Sequence, residues 1–172
     1  MNETSLASVK VPFAMLLVLV LQSSLLSEMR LGVVRPDAMI LLPITAGMLA
    51  GSERGAVIGF LTGMLTDLFL QTPMGLSALT YSVVGFGVGT LHTGVLRAAW
   101  WIGPVTAMAA SAVGVMLFVV IGAVVGVSHL FRPGLPIIVI GVALINGPLS
   151  IAVFRLMGWA WPVDANHHAF AR

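Results

Sequence analysis

Cysteine does not occur in this chain, which excludes a disulfide framework, a thiol nucleophile and any cysteine metal site and leaves the redox compartment open. Charge is scarce as well. Only 8% of the 172 residues are Asp, Glu, Lys or Arg, whereas a soluble domain carries about 25% because its surface must face water. The excess of basic over acidic side chains is two. An isoelectric point near 9.9 therefore reflects few titrating groups and no basic patch for nucleic acid.

What is present is apolar: 59% of the residues are hydrophobic and the mean hydropathy is +1.08. Such a composition reads as an all-α integral membrane protein. A length of 172 residues holds roughly six helices of about 20 residues each, in a single polytopic domain over residues 1–172 with no separate soluble domain. Lys10 before the apolar run Val11 to Leu21 imitates a signal peptide. No A-x-A cleavage site follows in "QSSLLSEMR", however, and the run reads as a retained first helix.

The expected segments are 9–27, 37–51, 55–70, a fourth that ends near His92, 98–127 and 136–157. The second and third are short. Segment 37–51 contains Pro43 and, at about 1.5 Å per residue, reaches roughly 22 Å of a ~30 Å hydrocarbon layer, so a broken, steeply flanked or re-entrant helix is expected. In "QTPMG" Thr72 can cap the fourth helix, with Pro73 at its first position. Counting basic residues on alternate sides puts Lys10, Arg54, Arg97, Arg155 and Arg172 inside and Arg30, Arg35 and Arg132 outside, with both termini cytoplasmic. Trp100, Trp101, Trp159 and Trp161 then lie at inner helix ends, as an interfacial aromatic belt does.

Few residues within the apolar segments carry chemistry. Gly47, Gly51, Gly55, Gly59 and Gly63 recur every four residues, and Asp67 takes the next step. Small residues mark close helix contacts in lipid, so Gly55, Gly59 and Gly63 form either a packing seam within the chain or a groove for a partner helix. Asp67 sits one turn before the end of its segment, where its own helix dipole is unfavourable. It needs a donor, and the free N–H groups opening the fourth helix are near in sequence. The alternatives are a partner's basic group or a transported ion. Pro148 frees the carbonyl of Leu144, and Asn146 beside it either satisfies that kink or lines a pocket. Gly85, Gly87 and Gly89 match no phosphate-loop pattern and read as packing. His92, His129, His167 and His168 lie at loops or in the tail, with no ligand-spaced or nucleophile motif. No enzyme activity, metal or cofactor is expected.

The run "RPDAMILLPITAGMLAGSERGAVIGFLTGMLTDLFLQTPMGLSALTYSVVGFGVG" resembles the rod shape-determining MreD family. That family follows a proline-led short helix with G-x-x-x-G-F-x-x-G-x-x-x-D, a P-x-G turn and a glycine-rich helix. The matching positions here are Pro36, Gly55, Gly59, Phe60, Gly63, Asp67, Pro73, Gly75 and Tyr81, and "ALINGPL" is similar to the family's intramembrane asparagine at Asn146. The resemblance implies a non-enzymatic scaffold in the bacterial inner membrane. Its partners would be MreC and, in the wider elongation machinery, MreB, RodA and a class B penicillin-binding protein. It also implies a bundle like the substrate-binding subunits of energy-coupling-factor vitamin transporters, which supply the alternative function. The A-x-x-x-A docking motif of those subunits is missing from "VPFAMLLVLVLQSSLLS".

Overall fold

A computed structural model describes residues 3–26, 36–69, 73–95, 101–127 and 134–160. Among them the chain forms six α-helices with no strand: α1 (Glu3–Leu21), α2 (Leu41–Ala50), α3 (Ser52–Phe69), α4 (Leu76–Val95), α5 (Ile102–Val124) and α6 (Leu135–Ala160). One π-helical turn, Gln22–Leu26, extends α1. With 23 and 26 residues, α5 and α6 are long and apolar enough to cross a membrane. The sequence expectations for Thr72, Arg30, Arg35, Arg97, Arg132, Arg172, Trp100, Trp161, His129, His167 and His168 concern positions outside the described residues, as does the side chain of His92.

The centre of the molecule is α2, which packs on α3, α4, α5 and α6. Every residue from Leu41 to Gly47 is buried, as expected of a helix that is apolar all round. At 10 residues it rises only about 15 Å. Pro43 does not break it. That residue lies in the first turn, where an N–H has no intrahelical partner to lose. The helix stops instead at Gly51, whose φ of +91° belongs to the left-handed region that glycine enters without steric cost. The Gly51 N–H closes the end on the Gly47 carbonyl at 3.1 Å, and α3 begins at the next residue.

The other helices each bury one stripe. On α1 the buried set is Val11, Ala14, Met15, Val18 and Leu19, a three-and-four spacing that turns one face toward the core. The opposite face of the same helix exposes Val9, Phe13, Leu16 and Val20. On α5, Ala107, Ala110, Ser111 and Gly114 are buried while Val105, Val113, Met116 and Val120 are exposed. Outward faces are thus as apolar as inward ones, an arrangement suited to a surrounding as oily as the core.

Several boundaries depart from the sequence reading: α1 begins at Glu3 and not at 9, α2 at Leu41 and not at 37, α3 at Ser52 and not at 55, and α5 at Ile102 and not at 98. The start of α4 departs for an identifiable reason. Pro73 is not the first residue of α4, which starts at Leu76. Gly75 has φ +96°, a conformation that cannot continue a right-handed helix, so residues 73–75 form a turn in which the Leu76 N–H donates to the Pro73 carbonyl at 3.2 Å.

Candidate functional site

The glycine series is a seam inside the chain. A Cβ built on Gly55 would lie 2.5 Å from the Gly85 carbonyl oxygen of α4 and 2.8 Å from the Gly47 Cα of α2. Three helix backbones meet at that node. Further along α3, a Cβ on Gly59 would strike the Tyr81 carbonyl, and one on Gly63 would strike the backbone of Ala78. The antiparallel α4 therefore fills the groove that could otherwise receive a partner helix. This corrects the partner-groove alternative for Gly55, Gly59 and Gly63: close backbone approach on that face is already taken by the same chain. Gly85 and Gly89 contribute from α4, whereas Gly87 faces open space.

Asp67 ends the same seam. The amides at the start of α4 converge on its carboxylate: Gly75 N–H donates to Oδ2 at 2.9 Å, Ser77 N–H to both oxygens at 3.1 Å, and Ala78 N–H to Oδ2 at 3.3 Å. These include the orphan donors that any helix start leaves open. The negative charge also meets the positive end of the α4 dipole, which offsets its poor position at the end of α3. A neighbouring helix thus supplies the cap that a residue ahead of α4 would ordinarily provide.

A second polar cluster lies where α2 begins, and its organising residue is Asp37. Its Oδ1 accepts from the Met39 N–H at 3.1 Å and the Ile40 N–H at 3.4 Å, closing an Asx-type turn just ahead of α2, whose own N-cap position is Ile40. Tyr81 of α4 donates its hydroxyl to Oδ2. Gln22, in the π-helical turn, accepts from the Met39 N–H at 2.9 Å and donates to Asp37 Oδ1 at 3.4 Å. The Asp37 backbone carbonyl accepts from Asn146 Nδ2 at 2.9 Å, and the same amide group donates to Ser111 Oγ of α5 at 3.0 Å. The start of the central helix is thereby tied to the end of α1 and to α4, α5 and α6.

Asn146 does not serve the carbonyl that Pro148 frees in α6. It lies two residues from both Leu144 and Pro148, about 200° around the helix from each. Leu144 and Pro148 are exposed while Asn146 is fully buried, so the freed carbonyl and the amide face opposite ways. Instead the amide holds the start of α2, leaving its Oδ1 as a buried acceptor without a hydrogen-bond partner.

Sequence reasoning placed Asp37 at the head of a segment without giving it a role. The available signal was Asp directly before the apolar run "AMILLP", a helix-start pattern. Its distant contacts carry no such mark. The other interior hydroxyls are used locally: Thr62, Thr66 and Thr80 each donate to the carbonyl four residues earlier, at 2.7, 2.8 and 2.8 Å. Ser82 reaches from α4 to the Ala56 carbonyl of α3 at 3.1 Å. No group of three metal-capable side chains occurs among the described residues.

These features define a helical bundle whose interior polar groups join helices to one another. Compared with protein-family models, with curated proteins and with solved structures, the chain finds no match in any of the three.

Proposed function

We propose that the chain is a multi-pass subunit of a bacterial inner membrane, with about six membrane segments and both termini cytoplasmic. In this reading it acts as a non-enzymatic scaffold of the cell-elongation complex, resembles MreD and binds an MreC-like partner. The observation that carries the scaffold reading is that the interior polar groups are spent: Asp37, Asp67 and Tyr81 in bonds between segments, and Thr62, Thr66 and Thr80 in bonds to the carbonyls of their own helices. A carrier needs convergent polar groups left over for its cargo. The motif resemblance around Pro36 to Tyr81 supplies the name of the partner. With α4 seated in the glycine seam, that partner meets an outward face.

One observation favours the vitamin-transporter alternative: Asn146 Oδ1 is buried and unpartnered, and a polar cargo group could satisfy it. Purification of the chain from its native membrane in gentle detergent separates the two. Co-purification of an MreC-like protein is expected. A stoichiometric bound vitamin, with no such protein, would replace the scaffold with the carrier.

A further inference from the structure

At the end of the bundle where α1 starts and α6 finishes, one cation stands over an indole and a second shares the helix face of that indole. Lys10 Nζ lies 5.0 Å from the centre of the Trp159 ring, a cation–π contact between two helices that pack together. Lys10 is at the edge of the apolar stretch Val9–Ser24. Arg155 precedes Trp159 by four residues, so the two share a face of α6, and both are exposed. Neither Lys10 nor Arg155 is ion-paired with an acidic side chain among the described residues.

An unpaired guanidinium on an apolar helix requires a counter-charge or water if that helix spans a bilayer. Trp at a helix end belongs at headgroup level, the level at which phosphates are found. Arginine recognises a phosphate with two parallel hydrogen bonds, and lysine adds a compact charge. The apolar surface needed for the remainder of a lipid is adjacent. Phe13 and Leu17 continue the Lys10 face of α1, Ile151 continues the Arg155 face of α6, and all three are exposed.

We propose that Lys10, Arg155 and Trp159 form a site for the headgroup phosphate of an anionic phospholipid, its acyl chains lying along the exposed faces of α1 and α6. This goes beyond the scaffold reading and requires only that these two helices lie in a bilayer, so it does not rest on that reading.

The test uses the full chain, delipidated in detergent and titrated with phosphatidylglycerol or phosphatidylcholine of the same acyl composition, with bound lipid counted by native mass spectrometry. Wild type is expected to prefer phosphatidylglycerol. Lys10→Gln and Arg155→Gln should each weaken that lipid about fivefold, and the double variant about 25-fold, leaving phosphatidylcholine unchanged. Lys10→Arg keeps the charge and should keep the preference, which preserves the test if the double variant does not fold. Three results would each overturn the proposal. One is equal affinity of wild type for the two lipids, or equal phosphatidylglycerol affinity in wild type and the double variant. Another is competition by inorganic phosphate at the lipid's own concentration, since the acyl chains would then contribute nothing. The third is loss of an acidic co-purifying protein in the double variant with lipid binding intact, which would assign the two charges to that protein.

Discussion

Alanine at Gly55 should be one of the most damaging single-methyl additions to this molecule. The new Cβ would stand 2.5 Å from the Gly85 carbonyl oxygen, where ordinary contact begins at 3.4 Å. Relief requires α3 and α4 to part by the difference of 0.9 Å between those two distances. The Gly47 Cα lies 2.8 Å away on the other side, so α3 cannot simply slide toward α2. Both obstacles are backbone, and no rotamer change removes them. A gap of 0.5–1 Å forfeits about a quarter to a half of each dispersion contact, and it would extend along a seam that includes Gly59 and Gly63. Overpacking of this kind costs about 1–3 kcal/mol.

Gly87 on α4 is the internal control. A Cβ there meets nothing within 4 Å, and replacing a mid-helix glycine by alanine stabilises by about 0.5–1 kcal/mol. The two substitutions add the same methyl and should shift stability in opposite directions. Unfolding in mixed detergent micelles, followed by circular dichroism, measures the difference. Equal stability of Gly55→Ala and Gly87→Ala would refute the three-helix node.

Asp67→Leu strands the amides of Gly75, Ser77 and Ala78 and should cost about 1–3 kcal/mol for each donor left dry, whereas Asp67→Asn keeps an acceptor and should lose less; equal melting of the two variants would remove the capping role. In a double-mutant cycle, Asp37→Asn and Tyr81→Phe should show a coupling of about 0.5–3 kcal/mol, and additive losses would mean that the two side chains do not meet in solution. Asn146→Leu should destabilise by about 1–3 kcal/mol through the unpaired Asp37 carbonyl, and wild-type stability would show that this carbonyl finds another donor. Because the chain has no cysteine, Ser5→Cys, Ser52→Cys and Gly134→Cys report topology directly; in intact cells an impermeant maleimide should label only Gly134→Cys, and labelling of Ser5→Cys would reject the proposed orientation.

The helical class and the positions of the six helices were legible in the sequence, because both depend on properties local to a segment. Apolar composition calls for backbone bonds closed within each segment, although the break between α2 and α3 is the single residue Gly51, with the following "SERG" already helical. Asp67 was readable for the same reason: its donors are only 8 to 11 residues away, in the next helix start of an antiparallel pair. Four-residue glycine spacing announced a close contact. It could not say with what, since a small-residue face presents the same pattern to a neighbouring helix of its own chain as to a partner.

Tertiary structure alone decided the remainder. Tyr81 meets Asp37 across 44 residues and Asn146 meets the Asp37 carbonyl across 109, and nothing in the spacing of these residues ranks one such pairing over another. Pro148 points to a freed carbonyl within α6, yet the direction in which Asn146 points depends on which face of α6 the bundle buries. The start of α4 depended on the left-handed turn at Gly75. The sequence determined which segments become helices and which of their residues are small or polar. Which helix fills the glycine seam, and which carbonyl receives the buried amide, follow from α2 being short enough for Leu41 to Gly47 to sit inside the other helices. Each polar group buried there must find its partner among whichever backbones that packing brings within about 3 Å.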